Sequence, residues 1–81
     1  DDLSKKVIND FINEYEKLSS LSRETLEPII KSLIDKHKTN FKGVGQPLRI
    51  ALVGSRFGPG LYDVILSLDK PDVLKRLKSI L

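Results

Sequence analysis

The 81 residues include no cysteine and no methionine. Without cysteine there is no disulfide framework and no thiolate metal site, and the chain is compatible with a reducing cytosol. No apolar run approaches the roughly 20 residues that span a bilayer, and the first residues lack the pattern of a secretory signal. The missing methionine and the opening Asp1-Asp2 make a piece of a longer protein the expectation. His37 is the only histidine, so a histidine-based metal site is also excluded. It follows a helical stripe and reads as a partly buried or surface residue at a helix end. Ser55 has no base near it in sequence, and a hydroxyl without a base is a poor nucleophile. Asp69 and Asp72 are better explained as a helix cap and a first-turn anion than as a catalytic pair. Catalysis by this segment alone is not expected.

What remains is a chain that is 40% apolar and 31% charged, long enough for one small domain over residues 1–81 and too short for two. Its net charge of +3 is unevenly spread. Residues 1–40 carry seven basic and eight acidic side chains, whereas residues 41–81 carry seven basic and three acidic ones. The basic second half suits a phosphate backbone, although a solvated helical surface has the same charge pattern.

Helical spacing runs through almost the whole chain. Leu3, Val7, Ile8, Phe11, Ile12, Tyr15 and Leu18 recur every three or four residues and form one apolar stripe. Ser22 offers an N-cap for a second stripe of Leu26, Ile29, Ile30, Leu33 and Ile34, ended by Lys36 and Lys38. Pro28 lies inside that stripe and predicts a kink or a late start. Residues 39–46, with Gly43 and Gly45, read as a connector. The run Leu48-Arg49-Ile50-Ala51-Leu52-Val53 suits a buried strand or a buried helix equally by periodicity. Pro47 as a first-turn residue and Gly54 as a C-terminal cap favour helix. Pro59 suits the first turn of a helix carrying Leu61, Val64, Ile65 and Leu68. Asp69 and Pro71 open a last one carrying Val73, Leu74, Leu77, Ile80 and Leu81. The expected fold is all-α, a compact bundle of about five short helices with no sheet.

The glycine-rich loop Gly54-Ser55-Arg56-Phe57-Gly58-Pro59-Gly60 invites a nucleotide-binding interpretation. Its spacing matches neither the dinucleotide fingerprint nor the phosphate-loop motif, and Pro59 removes an amide donor where a phosphate would need one. Arg49, Arg56 and Phe57 around this loop suit single-stranded RNA better, since arginine grips phosphates or base edges and an aromatic ring stacks an unpaired base. A loop with a core aromatic is the plain alternative. A helical protein–protein adapter and a nucleotide-binding fragment also remain open at this level.

The order of residues adds a resemblance. Gln46-Pro47-Leu48-Arg49-Ile50-Ala51-Leu52-Val53-Gly54, then Pro59-Gly60-Leu61-Tyr62-Asp63-Val64-Ile65, then Val73-Leu74-Lys75-Arg76-Leu77, resembles the end of bacterial-type glutamyl-tRNA synthetases. Glu24-Thr25-Leu26-Glu27 and Leu33 are similar to the helix preceding that pattern. Val53 in place of threonine, Gly58 before the proline and Pro28 in the second helix depart from it. The resemblance covers residues 22 to 81, and residues 1–21 fit as a further helix. It implies a helical cage at the C-terminus that holds the tRNA anticodon, and it favours helix over strand at residues 48–53. It further implies anticodon contacts at Arg49, Pro59, Gly60 and Leu61, with Lys31 a weaker candidate and Arg56 and Phe57 beside them. The partners implied are a glutamate-specific tRNA and the upstream domains of a cytoplasmic ATP-dependent ligase. ATP would bind in that ligase's catalytic domain. No cofactor or metal in this segment, no membrane partner and a monomer are the matching expectations.

Overall fold

The computed structural model describes residues 2–55 and 58–81. Its first helix, α1 (Asp2–Glu16), buries Val7, Ile8, Phe11, Ile12 and Tyr15. Phe11 and Tyr15, one helical turn apart, stack with ring centroids 5.3 Å from each other. The stripe is shorter than its sequence period suggests: Leu3 is exposed, and the helix ends before Leu18. The second helix, α2 (Arg23–Lys36), begins at the expected cap. Ser22 Oγ accepts from the Thr25 amide, and Thr25 Oγ1 accepts from the Ser22 amide, a reciprocal capping box. This cap starts the helix five residues before Pro28, so the late start does not occur. The helix runs through the proline because Leu26 on one side and Ile29, Ile30 and Leu33 on the other are all buried. Their burial outweighs the loss of one backbone hydrogen bond.

The largest departure from expectation is α3 (Phe41–Val53). Residues 41–46 are helix, not connector, and Pro47 lies in the helix interior instead of its first turn. Asn40 sets the start: its Oδ1 accepts the Gly43 amide at 2.8 Å. One of the two glycines that suggested a loop answers a steric need instead, and the other does not. A Cβ at Gly43 would come within 2.0 Å of Thr39 Oγ1, and one at Gly45 within 3.4 Å of the Phe41 ring. Replacing Asn40 by alanine is expected to destabilise the fold by about 1 kcal/mol, the usual worth of an N-cap, measurable by urea unfolding. At the other end Gly54 takes the left-handed conformation and donates to the Ile50 carbonyl, the C-cap expected of it. The ambiguous stretch 48–53 is therefore helix, and no strand occurs among the described residues.

Two short helices close the bundle, α4 (Leu61–Ser67) and α5 (Lys70–Lys78). Pro59 falls just outside α4, whose N-cap position is Gly60. Asp69 occupies the N-cap position of α5 without a side-chain hydrogen bond, and Pro71 lies in the first turn. Val73 and Leu77 are buried, while Ile80 and Leu81 fall beyond α5 and stay exposed. α3 is the axis of the assembly and packs against the other four helices. One core cluster, from Val7 to Leu77, draws on all five.

Neither α1 nor α3 has a basic residue in its last turn, and α5 supplies one to each. Lys70 Nζ donates to the Glu16 and Leu18 carbonyls, at 3.1 and 2.7 Å. It also lies 5.6 Å from the centroid of the Tyr15 ring. Arg76 Nη1 donates to the Leu52 carbonyl at 2.6 Å while its Nε pairs with Asp72 at 3.0 Å. These cations neutralise the negative ends of the two helices. Part of the basic character of the second half thus serves the fold.

Asp10 ties α1 to α2. His37 Nε2 donates to its carboxylate at 2.8 Å, and Lys36 Nζ lies 3.0 Å away. Burial raises the Asp10 pKa, but the hydrogen bonds and charges of Lys36 and His37 outweigh it and hold the group below its ordinary value of 3.8. A folded-state pKa below the unfolded one means stability that is present above 3.8 and lost as pH falls through the folded value. Asp10→Asn should therefore be less stable than the parent at neutral pH, with the gap narrowing as pH drops below the ordinary carboxylate range. Thermal melts across that range check the sign.

Candidate nucleic-acid interface

The elements that bear the expected contacts meet where α2 starts, α3 starts and α4 starts. Arg49 lies two turns into α3 with its side chain directed to the loop before α4, where Nη1 donates to the Pro59 carbonyl. That bond holds the Pro59-Gly60-Leu61 turn against α3. A groove of about 370 Å³ opens beside it, lined by Arg23, Glu27, Phe41, Arg49, Gly60, Leu61, Tyr62 and Asp63. Leu61 is buried and forms its floor, whereas Gly60 and Asp63 are exposed at its edge.

The candidates are distributed unevenly around this groove. Arg49, Gly60 and Leu61 line it together. Pro59 does not line it: its carbonyl receives the Arg49 bond, and the residue lines a neighbouring apolar hollow with Val53, Val64 and Leu68. Lys31 is exposed on α2 and lines neither. It stands about 12 Å along the helix from Arg23 at the standard rise. Arg56 and Phe57 lie outside the described residues. Ser55 lines the apolar hollow.

Arg23, Phe41 and Tyr62 are among the groove residues that the sequence reading did not single out. The Arg23 guanidinium lies 4.9 Å from the centroid of the Tyr62 ring and is anchored by a 3.0 Å pair with Glu27. Burial first, and then the Glu27 charge, push the Tyr62 pKa up, against a smaller opposing effect of Arg23. Its hydroxyl is therefore a neutral hydrogen-bond donor at physiological pH. Phe41 stands beside it, ring centroids 6.1 Å apart and tilted by 48°. Phe41 is 46% exposed, an unusual position for a phenylalanine in so small a fold. The signal in the sequence was Asn40-Phe41, a capping residue followed by an apolar one at helical spacing from Val44 and Leu48.

Among the described residues no group of three or more acidic or histidine side chains is placed to hold a metal. None of the helices is long and apolar enough to cross a membrane. On this all-helical scaffold the groove joins two arginines to the exposed Phe41 ring and the partly buried Tyr62 ring, and the class it defines is a small helical binding domain. A family model described as an anticodon binding domain matches residues 1–81, and the chain belongs to that family. The chain is 57% identical over 77 residues, 95% of its length, to a glutamate–tRNA ligase of Pelagibacter ubique, of which the match covers 16%. It is 35% identical over 80 residues, 99% of its length, to one of Methylacidiphilum infernorum, of which 18% is covered. With the one of Desulfitobacterium hafniense it shares 35% identity over 71 residues, 88% of this chain and 14% of that protein. The chain thus spans less than a fifth of the length of these relatives. No solved structure matches it.

Proposed function

We propose that this chain is the C-terminal anticodon-binding part of a glutamate–tRNA ligase and that it receives the anticodon loop of a glutamate-specific tRNA in the groove beside Arg49. The observation that carries the reading is the convergence of Arg49, Gly60 and Leu61 on one groove, together with the Arg49 bond that holds the turn containing two of them. The guanidinium has five donors, so those not engaged by Pro59 remain for a base edge or a phosphate. Gly60 lets a base approach the backbone, and Leu61 gives it an apolar floor. Lys31 adds charge farther along the edge, at a distance that suits the phosphate backbone rather than a base. Arg56 and Phe57 belong to the same loop and are assigned to the same surface on sequence alone.

The ATP-dependent attachment of glutamate would take place in other domains of a cytoplasmic, monomeric parent, with this part supplying recognition and no cofactor or metal of its own. An adapter would offer an apolar stripe to a partner, and the strongest stripe here, on α1, is buried in the core, which favours the RNA reading. Titration of an anticodon stem-loop RNA onto the chain, followed by amide chemical shifts, tests it. The expected result is a set of shifts centred on Arg49, Gly60, Leu61 and Tyr62, with affinity falling steeply as salt rises because phosphate contacts release counterions. Shifts confined to other faces, or binding indifferent to salt, would overturn it.

A further inference from the structure

Arg76 lies outside the groove beside Arg49, yet it is bonded to the helix that carries that arginine. Its Nη1 donates to the Leu52 carbonyl at 2.6 Å, and its Nε is held at 3.0 Å by Asp72, one turn back along α5. We infer that Arg76 is a positioning residue for RNA binding. With Asp72 it clamps the last turn of α3, and so fixes Arg49 and the start of the segment that leads to Pro59, Gly60 and Leu61. This role rests on the RNA-binding reading above and deepens it.

Three observations carry it. The last four carbonyls of a helix have no partner within it, and helix ends fray unless something outside satisfies them. In α3 the Ile50 carbonyl receives the Gly54 amide and the Leu52 carbonyl receives Arg76, so the final turn is tied both to its own cap and to α5. Each helical carbonyl pairs with the amide four residues on, which places the partner of the Arg49 carbonyl at Val53, in that turn. Loosening of the turn therefore reaches the Arg49 backbone directly. Second, the chain leaves α3 at Gly54 and returns to it at Pro59, whose carbonyl receives the Arg49 side chain. Arg76 secures the departure and Arg49 the return, so both ends of the segment depend on the final turns of α3. Third, α5 is a firm post for the clamp. Val73 and Leu77 are fully buried, and Lys70 bonds the Glu16 and Leu18 carbonyls at the end of α1. Two of the Arg76 nitrogens are already engaged within the fold, which favours action through α3 over contact with RNA.

The test measures stem-loop affinity at several salt concentrations for the parent chain, Arg76→Met, Arg76→Lys and Lys75→Met, at a temperature where melts show each to be folded. Arg76→Met keeps the apolar stem and removes the donors. It should weaken binding roughly 2- to 30-fold, the range for residues that act on a site without touching its ligand. It should also move the amide shifts of Gly54, Gly60 and Leu61 in the free chain. The slope of log affinity against log salt should stay at the parent value, because no phosphate contact is lost. Arg76→Lys, which can still reach the Leu52 carbonyl, should recover part of the affinity. Lys75→Met removes the same charge from the adjoining exposed position and should bind nearly as the parent does. A slope shallower by roughly 0.7 to 0.9 for Arg76→Met, the value of one phosphate contact, would make Arg76 a direct contact and overturn the positioning role. So would an Arg76→Met chain that melts early but binds like the parent once folded, or an equal loss in Lys75→Met, which would assign the effect to net charge. In all three cases the anticodon reading stands. If Arg76→Met does not fold, Asp72→Asn, which frees the arginine without removing it, should show a smaller loss of the same kind, and parent-like binding there refutes the role. If the parent chain itself does not bind the stem-loop, both fall.

Discussion

Phe11→Ala should remove a large share of the domain's stability and lower its melting temperature markedly. Phe11 is fully buried and stacked on Tyr15, and it sits on the helix that contacts α2, α3 and α5. Truncating a phenylalanine in such a site removes its transfer free energy and leaves a cavity, together about 3–5 kcal/mol. A domain of this size has a total stability of roughly 4–12 kcal/mol at the usual per-residue value. One such change consumes much of that margin, and at about 4–8 °C per kcal/mol it lowers the melting temperature by roughly 12–40 °C. Calorimetry or circular dichroism would read this directly. A melting temperature that stayed put would mean that α1 is not integral to the core, and that its stripe serves a partner instead. Phe11→Leu, which keeps most of the volume, should recover a large part of the loss.

Arg49→Gln should produce the largest loss of RNA affinity, about 1–3 kcal/mol if the side chain pairs with a base edge. The structure alters what that loss would mean. Because Arg49 also bonds the Pro59 carbonyl, its removal frees the turn that carries Gly60 and Leu61, so direct and indirect effects are mixed. Amide shifts of Gly60 and Leu61 in the free variant separate them. If those shifts match the parent, the lost affinity belongs to the guanidinium itself. If they move widely, Arg49 acts partly by positioning the turn. The fold should survive in either case, since Leu61, the core side chain on that turn, is also held by its place in α4 and by the rest of the core cluster. A variant that melted early and whose folded fraction bound RNA normally would reduce Arg49 to a structural residue.

Much of this was legible before any coordinates. The stripes on α1 and α2, the Ser22 cap, the Gly54 cap and the Pro71 start of α5 are local features. Each depends on residues three or four apart, and the chain carries that information within one helical turn. The resemblance at Gln46–Gly54 and Pro59–Ile65 likewise pointed to Arg49 and the Pro59-Gly60-Leu61 turn, because a motif preserves order and spacing. The misjudged stretch, residues 41–47, shows where local rules give out. Gly43, Gly45 and Pro47 are poor helix residues taken singly, and they read as a connector for that reason. Their helix forms because burial of Val44, Leu48 and Leu52 against the other four helices outweighs those preferences, and at position 43 Thr39 occupies the space that a side chain would need.

The groove belongs to the same category. Arg23, Phe41 and Tyr62 are far apart in sequence, and no period or motif joins them; α2, α3 and α4 must pack before they become neighbours. The use of Lys70 and Arg76 to close the ends of α1 and α3 was equally hidden, since a count of basic residues does not say which of them face a helix terminus. What the sequence determined by itself was therefore the set of helices, some of their caps and the motif that names the family, all encoded within a few residues along the chain. Which aromatic rings stand open beside Arg49, and which cations are bound into the frame, was decided only by tertiary packing, because those facts are distances between residues whose separation in sequence carries no trace of them.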